Sequence, residues 1–308
     1  MRKYHLFIVF IIILIFVLVI EPKNYNRIVE ATQRLRGLVS IIWELPCPNI
    51  IKTRYDHDEE YKRNLLIQNR EIHNIPNNIF QIYINNDKIP NEIVSNINFI
   101  KNNNKGWKYY LITDKNVNMW FKDMNDPTFK IIYDDISVSY PAAKCDLLRY
   151  LLMKHYGGVY LDIKSSSKYP LDDIIEPKIM LFNWCFFHTK FVNICGLSGS
   201  KRKRKTDNEI AQWVLIYPKG HFFIDAVLKR LKVVYNEYKN DKNINQCIYH
   251  FTGPDNYTDS VSELANSENS ILYPSFVDKG LEYNSLSSSH MCYSKGKHYL
   301  NVKGKIIY

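Results

Sequence analysis

The sequence predicts an α/β fold in which a mostly parallel sheet is flanked by helices. Apolar runs rich in β-branched and aromatic residues alternate with helical stretches in the order β-α-β-α from residue 75 onward. A leucine-rich helix then passes through a glycine pair directly into a buried strand. The chain has 308 residues, of which 46% are hydrophobic, so it is long enough to bury a sizeable core.

The N-terminal residues 1–20 form a candidate membrane anchor. Two basic residues precede the uninterrupted apolar run 6–20, which is short for a span at ~1.5 Å per residue but sufficient for a thin bilayer. No small-residue cleavage site follows, which favours a retained signal-anchor, embedded in the lipid bilayer through residues 4–20, over a removed signal peptide. Basic residues lie on both sides of the run, so the positive-inside rule does not choose its orientation.

Residues 21–73 are interpreted as a stem, and residues 74–308 as the globular domain. The formal net charge of +10 fits binding to anionic nucleotide diphosphates, acidic glycans or a membrane surface. The lysines are mostly scattered, and nucleic acid is not an expected partner. The one concentrated basic run, 201–205, is interpreted as a solvated loop, with contact to an anionic acceptor or phosphate as the alternative.

The first half of the domain supplies two predicted strands and two predicted helices. Residues 78–84 read as the first strand, and Tyr83 near its end is either a core residue or a platform for a nucleotide base. A helix over 93–101 follows, then a second strand over 107–114 and a helix that begins at 116–122. Repetition of strand and helix in this order is typical of a Rossmann-like sheet.

The central helix and strand, residues 142–164, contain the candidate site. Leucines on one face mark the helix, and Asp146 and Arg149, three residues apart, emerge together from another side. The strand 159–161 follows, with Asp162 and Lys164 at its carboxyl end, where α/β sheets bind ligands. By spacing alone the charged pairs fit solvated surface residues equally well.

The second half is predicted to contain an aromatic strand over 179–187, a helix over 224–238 and a strand over 247–251. His221, just before that helix, is interpreted as structural. Residues 256–258, Asn-Tyr-Thr, form a glycosylation sequon that requires a lumenal domain.

The six cysteines show no zinc-binding spacing, so a structural zinc site is not expected. In a lumenal domain Cys185 and Cys195 are candidates for a disulfide bond, with two free buried thiols as the alternative. Cys145 is interpreted as a small core residue.

The stretch AAKCDLLRYLLMKHYGGVYLDIK resembles glycosyltransferase family 32, whose members carry a DXD sugar-binding region. The family pattern is approximately A-x-x-S-D-x-x-R-Y, a short helical run, then Y-G-G-I/V-Y-L/A-D-x-D. Further similarity lies in the segment before Asp114 and in Thr252-Gly253-Pro254. The family includes initiating mannosyltransferases and capsular polysaccharide transferases. The resemblance implies a GT-A-like fold.

The resemblance also implies a function: transfer of a hexose from a UDP- or GDP-sugar donor to a glycan or glycoprotein acceptor, with retained anomeric configuration. It suggests a type II membrane protein with a lumenal catalytic domain. It implies a catalytic role for Asp162. Lys164 is predicted to be catalytic for a different reason, because its ammonium could replace part of a metal's charge at the pyrophosphate. The residues that would bind substrate are Tyr83, at the base, Asp146, Arg149, Tyr160, Gly253 and Pro254.

Two positions depart from the family pattern: Cys145 replaces serine, and Lys164 replaces the second aspartate of the DXD motif. Family members would hold a divalent cation such as Mn²⁺ with that aspartate, which leaves Asp162 as the candidate metal ligand here.

Two functions are alternatives to sugar transfer. The first is a catalytically silent protein that binds nucleotide sugar or glycan, because Lys164 has removed a ligand. The second is a basic, membrane-tethered protein that binds nucleic acid, for which a steep salt dependence is required.

Overall fold

A computed structural model describes residues 75–84, 89–188, 193–195, 209–241, 243–283, 285 and 304–308. The predicted anchor, the stem and the basic run 201–205 lie outside these residues. Within them, every helix is too short or too polar to cross a membrane.

The described part of the chain alternates strands and helices. The strands, in chain order, are β1 (Asn78–Tyr83), β2 (Lys108–Thr113), β3 (Gly158–Leu161), β4 (Ser166–Ser167), β5 (Ile179–Phe182), β6 (Cys185–His188), β7 (Asn193–Cys195), β8 (Val214–Tyr217), β9 (Ser270–Tyr273) and β10 (Leu281–Glu282). The α-helices are α1 (Asn91–Asn103), α2 (Val117–Met124), α3 (Pro127–Asp135), α4 (Pro141–His155), α5 (Leu171–Ile174), α6 (Phe222–Asn240), α7 (Ile248–Phe251) and α8 (Pro254–Ser262). A short 3₁₀ helix spans Val277–Lys279.

The main sheet has the strand order β2-β1-β3-β8. Strands β2, β1 and β3 are parallel, and β8 pairs antiparallel with β3 at one edge. The predicted α/β class with a mostly parallel sheet is therefore confirmed. The carboxyl ends of β1, β2 and β3 lie along the same side of the sheet.

Apolar cores cover both faces of this sheet. Neighbouring residues in a strand point to opposite faces, so Phe80 and Tyr160 enter one buried cluster while Ile79 and Val159 enter the other. Burial on both faces explains why β3 is apolar throughout rather than alternating.

Helix α4 begins and ends as its sequence predicts. Pro141 occupies the first turn, where a missing N–H removes no helical hydrogen bond. Gly157 (φ +66°) and Gly158 (φ +113°) then reverse the chain. A Cβ atom at Gly158 would lie 2.4 Å from the backbone oxygen of Asn78, so this glycine also allows β3 to approach β1. The pair therefore fixes where β3 begins.

One predicted strand was wrong, and another was wrong in part. The stretch 247–251 is not a strand, because residues 248–251 form helix α7; short apolar runs do not distinguish strand from helix. The stretch 179–187 is interrupted after β5, where Trp184 N–H donates to the Glu209 carbonyl and the chain leaves its partner β9. Helix α3 was not anticipated.

The interruption is followed by a hairpin of β6 and β7. Its antiparallel register places Cys185 directly opposite Cys195, so the chain does turn back between them. The disulfide itself stays a prediction.

Candidate active site

Three charged side chains meet where helix α4 passes the carboxyl end of β3. Nη2 of Arg149 lies 2.7 Å from Oδ1 of Asp146 and 3.2 Å from Oδ1 of Asp162. The Asp146 and Arg149 side chains are 8% and 6% exposed, whereas Asp162 is 20% exposed. The pair predicted from helical spacing is thus a buried ion pair and not a solvated one, and it shares its cation with the strand-end carboxylate.

Arg149 is held from several directions. Its Nη1 donates to the Gln212 carbonyl at 2.9 Å, and its guanidinium lies 4.9 Å from the centre of the Tyr160 ring. Burial alone would lower the pKa of Arg149, but Tyr160, Asp162 and Asp146 together raise it well above its ordinary value. The arginine therefore stays charged and fixes the two carboxylates relative to each other.

Tyr160 holds the Asp162 side chain through a hydrogen bond. The Tyr160 side chain is buried, and its hydroxyl donates to Oδ1 of Asp162 at 2.8 Å. The same oxygen also pairs with Nη2 of Arg149, so Oδ1 already has two donors. Among the described residues Oδ2 of Asp162 has no hydrogen-bond partner, which leaves it as the oxygen available to a ligand.

Asp146 is engaged through both oxygens. Oδ1 pairs with Nη2 of Arg149, and Oδ2 accepts a hydrogen bond from the Thr252 hydroxyl at 3.1 Å. Burial raises the pKa of Asp146 to about 6, while Arg149 opposes the rise. Thr252 was not predicted as a site residue, although it belongs to the Thr252-Gly253-Pro254 motif that the sequence singles out.

Tyr150 and Gln212 complete the support. The Tyr150 hydroxyl contacts the Gln212 side-chain oxygen and lies 3.0 Å from the Thr252 carbonyl. Arg149 binds the backbone of the same glutamine. The segments before β8 and α8 are therefore tied to the same helix as the ion pair.

Two buried amides hold the loop 162–165 after β3. Gln81, fully buried in β1, donates to the Asp162 carbonyl at 3.0 Å, and Asn96 on α1 donates to the Ser165 carbonyl at 3.0 Å. Neither was predicted. A glutamine inside an otherwise apolar strand was the only available signal, because a buried amide needs partners.

Lys164 lies at the end of this loop and is half-buried. Its ammonium donates to the Tyr283 hydroxyl at 2.6 Å and is 4.1 Å from the centre of that ring. Burial lowers the pKa of Lys164 to about 8, which Asp162 partly opposes. Within the described residues no carboxylate lies within 4.0 Å of this ammonium. Tyr283 was not anticipated.

The donor set does not fit a divalent cation well. Hard cations take several oxygen ligands, of which carboxylates are the charged ones. Here Asp146 is engaged by Arg149 and Thr252, Lys164 is a cation, and Asp162 offers one oxygen. No group of three or more His, Cys, Asp or Glu side chains within the described ranges is arranged to hold a metal ion. The metal role of Asp162 stays a prediction.

The remaining predicted substrate-binding residues lie at different distances from this cluster. Tyr83 ends β1 opposite Thr113 and is 9% exposed, so it is at the correct side of the sheet but largely buried. Gly253 directly precedes α8, and a Cβ atom there would lie 2.8 Å from Tyr249 Cα. The close approach that this glycine permits is thus to the protein's own backbone. Pro254 begins α8.

Two other expectations concern residues 221 and 256–258. His221 caps α6 by accepting from the Phe223 N–H at 3.3 Å, and burial lowers its pKa to about 4, which agrees with a structural role. The sequon lies inside α8, where Asn256 and Thr258 have no exposed surface. Modification of the folded protein at Asn256 is therefore contradicted.

Comparison with protein families supports the resemblance. Residues 90–180 match the family described as glycosyltransferase sugar-binding region containing DXD motif. This range contains α4, β3 and all three members of the ion cluster.

Curated relatives are glycosyltransferases by name. Inositol phosphoceramide mannosyltransferase 1 of Schizosaccharomyces pombe is 31% identical over 109 residues, which are 34% of this chain and 33% of that protein. Initiation-specific alpha-1,6-mannosyltransferase of Candida albicans is 21% identical over 227 residues, 62% of this chain and 54% of that protein. The match to the first of these relatives thus spans a third of its length.

Among solved structures, the PaToxG glycosyltransferase aligns with 68% of this chain and 80% of its own, at 15% identity and a TM-score of 0.45.

Proposed function

We propose that this chain is a glycosyltransferase with a GT-A-like domain, because its residues 90–180 match the DXD-type sugar-binding region of glycosyltransferases. It transfers a hexose from a nucleotide-sugar donor to a glycan or glycoprotein acceptor and retains the anomeric configuration. The observation that carries this proposal is the buried cluster of Asp146, Arg149 and Asp162 at the carboxyl end of β3.

The cluster suits recognition of sugar hydroxyls. An ionised carboxylate only accepts hydrogen bonds, and the arginine between the two aspartates orients both of them. Asp162 is the most exposed member of the cluster, and its Oδ2 lacks a partner among the described residues, so it is the proposed acceptor for a ribose or hexose hydroxyl.

The proposed reaction breaks the bond between C1 of the donor sugar and the diphosphate oxygen, and the nucleoside diphosphate leaves with the electron pair. The acceptor hydroxyl oxygen forms the new bond to C1 from the same face. Its proton passes to the departing diphosphate. The charge that develops on the leaving group needs a cation close by.

The relatives' names favour mannose as the sugar. Both name a mannosyltransferase, and one of the names includes inositol phosphoceramide. We therefore place GDP-mannose first in a donor panel that also contains UDP-hexoses. The acceptors to be tested with it are mannosides, a glycoprotein and inositol phosphoceramide.

The decisive experiment measures transfer and donor hydrolysis by the full chain over this panel, with and without Mn²⁺. We expect Asp146→Asn to lower activity by about 10²-fold or more while the protein stays folded, because it removes one charge of a preorganised site. The matched control is Asp225→Asn, because Asp225 is exposed and its ion pair within the described residues is with Lys154, at 3.4 Å. Activity of Asp146→Asn equal to that of the control would contradict the proposed site.

We also propose that residues 1–20 anchor the protein as a type II membrane protein with a lumenal domain. The apolar run and the missing cleavage site support this proposal. The mature protein is then expected to pellet with membranes and to resist carbonate extraction. A mature N-terminus after residue 20, found by mass spectrometry, would contradict it.

A second candidate is a silent protein of the same fold that binds nucleotide sugar without transferring it. The cation at Lys164, in the place of a family metal ligand, favours this candidate. Donor binding without transfer or hydrolysis over the whole panel would identify it.

A further inference from the structure

Lys164 presents an ammonium that the described part of the protein satisfies only in part. It carries three N–H donors, and the Tyr283 hydroxyl takes one of them at 2.6 Å. No carboxylate among the described residues lies within 4.0 Å, although Asp162 is close enough to act on it electrostatically. A half-buried cation with two donors to spare is a ready contact for an anionic ligand.

Tyr283 fixes the direction of this ammonium. Its ring lies 4.1 Å below Nζ, so the cation rests on the aromatic face as well as on the hydroxyl. The ring is in turn packed edge-on against Trp184, with centroids 4.5 Å apart. The Tyr283 carbonyl accepts from Ser165 at 2.6 Å, which ties the tyrosine to the loop that carries Lys164. These contacts therefore fix the position of the Lys164 ammonium.

The charges of the site leave a place for this cation. Asp146 and Asp162 bring two negative charges and Arg149 brings one positive charge, so the cluster alone has a net charge of −1. Lys164 neutralises it. A nucleoside diphosphate that enters beside Lys164 would meet an ammonium, which attracts it, at the position where an aspartate would repel it.

We propose that the Lys164 ammonium, positioned by Tyr283, contacts the donor diphosphate in place of a divalent cation, so that donor binding does not require a metal. This inference rests on the proposed function, since it concerns the same donor. Lys164 supplies the positive charge next to the leaving group, whereas Asp162 keeps its hydroxyl-binding role.

The test is calorimetric titration of the full chain with GDP and UDP, and with GDP-mannose, in EDTA and again in Mn²⁺. We expect dissociation constants that agree within about threefold between the two conditions. Lys164→Ala should weaken diphosphate binding by about tenfold or more, in line with the loss of a charged hydrogen bond. Tyr283→Phe should weaken it less, because the ring remains and only the positioning hydroxyl is lost.

Two further variants sharpen the result. Lys168→Ala is the matched control, because Lys168 is exposed and forms an ion pair with Glu282 at 3.4 Å; the variant should bind the nucleotides as the wild type does. Lys164→Asp restores two aspartates two residues apart and should make binding depend on Mn²⁺. Thermal unfolding of each variant distinguishes loss of binding from loss of fold. The comparison of EDTA with Mn²⁺ uses the wild type and so does not depend on the folding of any variant.

The outcomes separate this inference from the proposed function. Wild-type binding that appears only with Mn²⁺ and survives Lys164→Ala would overturn the inference and leave the glycosyltransferase proposal intact. No binding of any nucleotide or nucleotide sugar under either condition would overturn both. Metal-independent binding that Lys164→Ala leaves unchanged would also overturn the assignment of the cation to this residue.

Discussion

Nη2 of Arg149, on helix α4, lies 3.2 Å from Oδ1 of Asp162, which follows strand β3. The contact joins two elements that the glycine pair at 157–158 separates, and it brings the charge of the helix to the end of the strand. Arg149 also meets Asp146 at 2.7 Å and the Gln212 carbonyl at 2.9 Å. One guanidinium thus organises two carboxylates, a task that its planar, multiple donors suit.

The first prediction is that Arg149→Lys abolishes this organisation even though the charge is kept. A single ammonium cannot reach two carboxylates and the Gln212 carbonyl in the geometry of a guanidinium. We expect the free energy of unfolding to fall by about 2–3 kcal/mol and activity to fall by about 10²-fold. Denaturant unfolding and the transfer assay measure the two effects.

The control for this variant is Arg230→Lys. Arg230 makes one ion pair, with Asp259 at 2.8 Å, and both side chains are partly exposed. Its replacement should change the free energy of unfolding by less than about 1 kcal/mol and leave activity intact. Equal effects of the two substitutions would show that Arg149 has no special organising role.

The second prediction concerns Thr252→Val, which keeps the shape of the side chain and removes its hydroxyl. The hydroxyl donates to Asp146 at 3.1 Å and so favours the ionised carboxylate. Without it the pKa of Asp146 rises further, and we expect the acidic limb of the kcat/KM profile to move to higher pH.

The matched control is Thr258→Val, which removes another buried hydroxyl, the one that accepts from the Ile210 N–H at 3.0 Å. It should lower the free energy of unfolding about as much as Thr252→Val does, without moving the kcat/KM profile. A profile that shifts equally in both variants would contradict the role of Thr252.

The third prediction follows from the raised pKa of Asp146. Burial raises it from 3.8 to about 6, so between these values the folded protein binds a proton that the unfolded chain does not. The contribution of Asp146 to stability is therefore fully present below about pH 4 and is lost as the pH rises through 6. At full expression the difference is on the order of 3 kcal/mol.

Comparison of the wild type with Asp146→Asn isolates this contribution, because asparagine does not titrate. Free energies of unfolding measured between pH 4 and pH 7 should show the wild type gaining stability relative to the variant as the pH falls. A difference that does not vary with pH would show that the pKa of Asp146 is not raised in the folded protein.

How much of this site the sequence predicts depends on the distance between partners along the chain. Asp146 and Arg149 are neighbours on one helix, and Asp162 ends the next strand, so local periodicity and the glycine pair suffice to bring them together. Thr252 reaches Asp146 across 106 positions, and Tyr283 reaches Lys164 across 119. Such contacts depend on how α8 and the segment near β10 pack against the sheet, which no local pattern records.

The fold shows the same division. Strands β1, β2 and β3 and helix α4 were predictable because their patterns are long or bounded by glycine and proline. The stretch 247–251 was not, because its few apolar residues satisfy either strand or helix, and burial of Phe251 against α6 decides for helix α7. The Asn-Tyr-Thr sequon was likewise readable as a motif, but its burial in α8 is a property of the tertiary structure.

The last prediction distinguishes two roles for Gly253. If the glycine serves a bound ligand, Gly253→Ala should weaken donor binding without changing stability. The structure favours packing, because the new Cβ would lie 2.8 Å from Tyr249 Cα and 2.9 Å from the Ile248 oxygen, both of them backbone atoms that cannot rotate away. We expect the free energy of unfolding to fall by about 1–3 kcal/mol, as for other overpacked sites. Gly106→Ala is the control, since a Cβ there has no heavy atom within 4 Å and the substitution should be neutral. Thermal unfolding and calorimetric titration with GDP-mannose of both variants decide the matter: unchanged stability of Gly253→Ala with weakened donor binding would assign this glycine to the ligand pocket.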